Sequence, residues 1–165
     1  MRIVIASALL LALAACGQPA PESTTASSGA STTTASETAA ATATVDPAVQ
    51  TALAALPAPY NEANYEAGRT IFNQCRSCHT INQGGANMVG PNLHGVIGRH
   101  VASVASFTYS APLRGADFNW DAEHLDQWIT NPQAMFPGTR MAFAGVHDAT
   151  QRRDVIAYVM VESAR

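Results

Sequence analysis

Apolar and polar positions fall into three regimes along this chain of 165 residues. Ile3 to Ala15 is an apolar run behind Met1-Arg2. At ~1.5 Å per helical residue it reaches about 20 Å, short of a ~30 Å bilayer core, so it predicts a cleaved leader over residues 1–15. Residues 16–59 show no period. They are rich in Ala, Ser, Thr and Pro, and Glu22, Glu37 and Asp46 are the charges. Such a stretch buries too little apolar surface to offset its chain entropy, and it predicts a disordered linker of about 35–40 Å root-mean-square span. A weak apolar patch from Val49 to Leu56 is assigned no structure. Residues 60–165 predict a folded domain. A helix is expected from Asn64 as N-cap, with Glu66 in its first turn, running to Cys75. Residues 82–118, rich in Gly, Asn and Pro, predict a long loop. A second helix is expected over Asp121 to Ile129, capped by Asn119 or Asp121 and stopped before Pro132. A last helix should follow Asp148, with Gln151 placed for a capping box and an apolar stripe of Val155, Ile156, Val159 and Met160 with Tyr158. No stretch alternates with period two, so the domain should be all-α.

The formal net charge is −3, and no lysine occurs. Three cysteines are present, Cys16, Cys75 and Cys78. The run Cys75-Arg76-Ser77-Cys78-His79 has the spacing by which a haem is attached covalently. On a helical turn, cysteines at i and i+3 share a face, so both thiols can reach the two vinyl groups on one porphyrin edge. His79 can then offer iron an imidazole. A redox Cys-x-x-Cys needs a βαβ pattern that does not occur here, and a closed zinc site needs four ligands. The apolar positions make a thin core for so much loop, and a buried haem would supply its centre.

Iron in such a site takes a second ligand. Met88, Met135, Met141, Met160, His94, His100, His124 and His147 are candidates. Met141 is favoured because it ends a loop, Asn131 to Met141, in which Pro132, Pro137 and Gly138 let backbone approach a flat ligand. Met160 lies on the helical stripe and reads as core. The histidines read as surface or loop residues.

Leu13-Ala14-Ala15-Cys16 resembles the lipobox of bacterial lipoproteins. That resemblance implies a lipid thioether on Cys16, cleavage before it, and a head tethered to a membrane.

Most of the domain resembles a class I cytochrome c of the mitochondrial type. The resemblance is carried by Gly68 with Ile71-Phe72, by Cys75 to His79, by Gly90-Pro91-Asn92-Leu93-His94-Gly95 through Arg99, and by Phe107-Thr108-Tyr109. Trp120, Asn131-Pro132, Pro137 to Gly145 and Asp154 to Tyr158 continue it. The resemblance implies the class I cytochrome c fold, with helices and long loops around one covalently bound haem c. It implies haem attachment at Cys75 and Cys78 and axial ligation by His79 and Met141. It implies that the Pro91 carbonyl orients His79, and that Arg99, Tyr109, Trp120 and Thr139 bind or shield the haem propionates. Asn131 would brace the methionine loop, Phe143 would cover the haem edge, and Gly68 and Tyr158 would mark the contact of first and last helices. With the lipobox and linker, the whole chain is most similar to the membrane-anchored cytochromes c of bacterial respiratory chains.

The sequence departs from that family at Trp128, where a tyrosine is usual, and at Leu113, where an asparagine is usual. Both bear on the strength of the Met141 ligand. The basic ring that guides mitochondrial cytochrome c to acidic partners is mostly missing. The resemblance implies a monomeric periplasmic electron carrier, not an enzyme, without a nucleic-acid partner. It would move electrons from a cytochrome bc complex to a haem–copper terminal oxidase. A haem subunit of another redox enzyme, a small peroxidase and a gas sensor are the alternatives.

Overall fold

The computed structural model describes residues 45–165. The expected signal peptide, Cys16 and the linker up to residue 44 lie outside the described residues. The elements are α1 (Pro47–Ala54), a 3-10 turn (Tyr60–Glu62), α2 (Tyr65–Arg76), α3 (Ala111–Arg114), α4 (Ala122–Thr130), α5 (Pro132–Met135) and α6 (Ala149–Glu162). Extended pairing among the described residues is limited to an isolated bridge between His100 and Asn119. None of the described helices is long and apolar enough to cross a membrane.

Short polar side chains start the main helices. Oδ1 of Asn64 accepts from the Ala67 N–H at 3.0 Å, Oδ1 of Asp121 from His124 at 2.8 Å, and Oδ1 of Asp148 from Gln151 at 2.8 Å. Each such cap contributes about 1 kcal/mol by satisfying an amide the helix itself leaves open. α4 ends at Thr130 because Pro132 disfavours helical backbone at Asn131.

α6 is the central element. It crosses α2 where Gly68 meets Asp154, and a Cβ on Gly68 would collide with the Asp154 carbonyl and crowd Tyr158. The Tyr158 ring lies 5.1 Å from those of Phe72 and Tyr65, tilted against both. Phe72, Val155 and Tyr158 form one apolar cluster. The other gathers Val96, Val101, Leu113, Trp120, Leu125, Trp128 and Ile156.

Three expectations are corrected. The linker expected over 16–59 ends earlier. Residues 47–54 form α1, opened by Asp46, whose side chain accepts from Ala48 at 2.7 Å, and Val49 is only 3% exposed. The loop expected over 82–118 contains α3, started by Pro112 in its first turn. The methionine loop contains α5, started by Pro132 and capped by Asn131. Proline fixes φ near its helical value and lacks an N–H that the first turn cannot bond, so each helix carries one in its first turn.

Candidate functional site

Cys75 and Cys78 sit at the C-terminal end of α2, where the chain turns. The amides of Cys78 and His79 both donate to the Cys75 carbonyl, at 3.0 and 2.9 Å. The half-buried His79 then swings under the body of the domain. Its Nδ1–H donates to the Pro91 carbonyl at 2.7 Å. A carbonyl can only accept, so the proton is on Nδ1 and Nε2 keeps its lone pair. Burial lowers the His79 pKa below the ordinary histidine value, with the Pro91 bond acting against it, so the ring is neutral at pH 7. Gly90 makes this possible, since a Cβ there would collide with the His79 ring. The expected orienting role of Pro91 thus has its geometry in place.

His79 opens onto a cavity of about 280 Å³. Its walls include Cys75, Cys78, Pro91, Arg99, Tyr109, Trp120, Thr139, Met141 and Phe143, so every candidate cofactor residue of the domain meets in one hollow. Among the methionines of the described residues only Met141 lines it, and among the histidines only His79. Met135 and Met160 pack on the apolar cluster, and Met88 is 48% exposed. Met141 is placed by α5 and the turn after it, where the Thr139 amide donates to Phe136 at 3.0 Å and the Gln133 side chain to the Thr139 carbonyl at 2.9 Å. Asn131 braces this segment through Ala134 at 3.0 Å.

Trp128 and Leu113, the two departures from the family pattern, are buried in the cavity wall. The Trp128 ring packs 5.9 Å from Trp120 and 5.8 Å from Phe136. Arg99 spends its guanidinium on backbone, donating to the His94 and Asn92 carbonyls at 2.9 and 3.0 Å. Burial raises the pKa of Tyr109 above the usual tyrosine value.

One wall residue escaped the sequence reading. Ser110 is buried, lines the cavity, and its Oγ has no hydrogen-bond partner among the described residues. A buried hydroxyl without a partner costs on the order of 1–3 kcal/mol, so it marks where a polar group belongs. The signal was its place directly after Tyr109, at the end of a stretch already singled out.

Burial, and then the neighbouring Cys78, push the Cys75 thiol up to about 11, so it is not ionised at neutral pH. No group of three or more His, Cys, Asp or Glu able to hold a metal ion occurs among the described residues, which leaves no zinc site there.

Residues 65–161 match the family described as Cytochrome c. The chain belongs to the cytochrome c family. A cytochrome c of Kluyveromyces lactis is 37% identical over 106 residues, covering 64% of this chain and 96% of its own. A cytochrome c2 of Blastochloris viridis is 40% identical over 107 residues, covering 65% and 84%. A "Cytochrome c-type cyt cy" of Rhodobacter capsulatus is 45% identical over 95 residues, covering 57% of this chain and 47% of that protein.

As in its family, the cytochrome carries haem c, bound covalently at the Cys-x-x-Cys-His run. The residues present fit it. The cavity is mostly apolar, thiols and a neutral imidazole converge at one end, a thioether stands in the wall, and the orphan hydroxyl of Ser110 awaits a polar group. The all-α class I fold expected from sequence is the one observed.

Proposed function

We propose that this cytochrome is a one-electron carrier of a bacterial respiratory chain, tethered at the periplasmic face of a membrane through a lipid on Cys16. The observation that carries the electron-transfer reading is the single cavity shared by His79 and Met141. When bound, the haem supplies a reversible Fe(II)/Fe(III) couple. His79 and Met141 would be the side chains that hold its iron. The thioether of Met141 is a soft, neutral ligand that favours Fe(II) and raises the potential. The Pro91 carbonyl fixes the His79 ring and strengthens it as a donor. Ser110, Tyr109, Trp120 and Thr139 would receive the propionates within the buried wall, and Arg99 would add its positive charge. Phe143, half-buried at the wall, would cover the edge that faces a partner.

Electrons would come from a cytochrome bc complex and pass to a haem–copper terminal oxidase. The head would act as a monomer. Its matches to cytochromes c and c2 support a carrier over an enzyme. Stopped-flow oxidation of the reduced protein by solubilised oxidase from the source membranes tests this reading. Rapid single-step oxidation is expected. Absence of oxidation by the oxidase, together with cyanide binding to the untreated ferric protein within seconds, would replace it with a peroxidase or gas-sensing function.

A further inference from the structure

Met141 hangs on a segment that is mostly bonded to itself. From Pro132 to Met141 the hydrogen bonds among the described residues run within Asn131–Met141, with one exception. The exception is exposed, the Arg140 guanidinium donating to the Thr108 carbonyl. Internal bonds fix the shape of the segment but not its hold on the rest of the domain. That hold falls mainly to side-chain packing.

Phe136 is placed for the task. It follows the last residue of α5, its amide donating to the Pro132 carbonyl at 2.9 Å and its carbonyl accepting from Thr139 at 3.0 Å. It is half-buried, a short turn ahead of Met141. Its ring lies nearly parallel to that of Phe118, with 6° between the planes and 6.2 Å between centroids. Phe118 in turn lies flat on His124, at 9° and 4.3 Å. Three rings from three segments thus form one stack. None of the three lines the cavity. The stack stands behind the cavity wall and meets it through Trp120 and Trp128.

Two of the rings are fixed to the body of the domain. The Phe118 carbonyl accepts from Val101, and the Trp120 amide donates to the Arg99 carbonyl, each at 2.9 Å. Oδ1 of Asp121, which caps α4, lies 2.8 Å from Nδ1 of His124. The third ring, Phe136, rides on the segment that carries Met141. Offset, parallel rings at about these separations attract beyond the area they bury.

We propose that the stack of His124, Phe118 and Phe136 is the latch that keeps Met141 at the iron, and that it sets how readily a small outside ligand reaches the metal. The three are positioning residues that act through Met141, and the proposal rests on the reading of Met141 as a ligand.

The test uses the full-length, haem-loaded ferric protein and cyanide as the probe. Cyanide can take the methionine's position only while Met141 is away, so its binding rate in stopped flow counts openings of the segment. Phe118→Leu and Phe136→Leu should each speed cyanide binding about fivefold, and His124→Leu about threefold. His124→Phe should return to within twofold of wild type, because it restores the ring without the Asp121 bond. The double variant Phe118→Leu/Phe136→Leu should be hardly faster than either single variant, as expected of residues that share one contact. Val49→Ala, a core change far from the stack in sequence, should leave the rate within twofold, and denaturant unfolding of every variant measures its global stability. Single variants that leave the rate alone, effects that multiply in the double variant, or an equal effect of Val49→Ala would overturn the latch and leave Met141 as the ligand. A wild type that lacks the sulfur-to-iron band and binds cyanide within the mixing time would overturn the ligand reading, and the latch with it.

Discussion

The backbone N–H of Asn64 donates to Oδ1 of Asp154 at 3.0 Å, joining the start of α2 to the middle of α6 across 90 positions of sequence. Asp154 is only 4% exposed, and the same oxygen accepts from the Arg153 guanidinium at 2.8 Å. Beside it Gly68 presses on the Asp154 carbonyl. Asp154→Ala should therefore cost about 2–3 kcal/mol, because it strands a half-buried amide and a guanidinium. Gly68→Ala should cost roughly 3 kcal/mol by forcing the helices apart. Denaturant unfolding of the haem-loaded protein followed by circular dichroism checks both, and a loss under ~0.5 kcal/mol in either would contradict the crossing described here.

Met141 is the methionine whose side chain reaches the cavity. Met141→Ala should abolish the weak sulfur-to-iron band of the ferric protein and admit cyanide. The potential should fall by on the order of 0.1 V, well inside the roughly 0.8 V that axial ligands span. Met88→Ala and Met135→Ala should keep the band. The reverse pattern would transfer the ligand to another loop.

His100 is exposed and bonded to Asp117 at 3.1 Å. That bond, with the Val101 carbonyl, raises its pKa above 6.5. A raised folded-state value means that its small stabilising effect is complete below pH 6.5 and disappears as pH rises through the higher native value. The effect is confined to a surface pair and is screened by salt. An NMR titration of the His100 ring should give a midpoint above that of a model histidine, and Asp117→Asn should bring it down. An unchanged midpoint in Asp117→Asn would assign the shift to backbone alone.

Lipidation at Cys16 is checked by mass spectrometry of the mature protein extracted from membranes. A diacylglyceryl thioether on an N-terminal Cys16 is expected, and Cys16→Ser should remain as an uncleaved precursor. Soluble, normally cut Cys16→Ser protein would point to an ordinary secretory leader.

The parts legible in sequence were those set by local chemistry. Asn64 and Asp148 cap the helices they were expected to open, and of the two candidates Asn119 and Asp121 it is Asp121 that caps α4, because a side-chain oxygen and the amide three residues on form a bond that needs no tertiary context. The Cys75 to His79 run was legible because its spacing is itself the chemistry. α6 was only half legible. Its apolar stripe suggested one buried face, yet Asp154, Val155, Ile156, Ala157 and Tyr158 are all buried in succession. A helix packed by α2, α4, α1 and the Tyr60 turn has no solvent side to reveal its period. α1 was missed because its alanines and Thr51 resemble the tract before it, and tertiary packing around Val49 holds it. Ser110 was missed because a single hydroxyl carries no pattern, and only its lack of a partner in three dimensions marks it.

α1 also decides where this protein can be cut. Val155, Ile156 and Val159 turn one side of α6 to the cavity, while Ala157, about 160° or more around the helix from Val155 and Val159, has no exposed surface either. A head that starts at Tyr60 would keep the haem site but lose the helix that buries Val49 and packs α6. Soluble versions for crystallisation or electrochemistry should therefore begin at Val45, ahead of the Asp46 cap. An apparent instability of shorter versions would belong to the cut and not to the cytochrome.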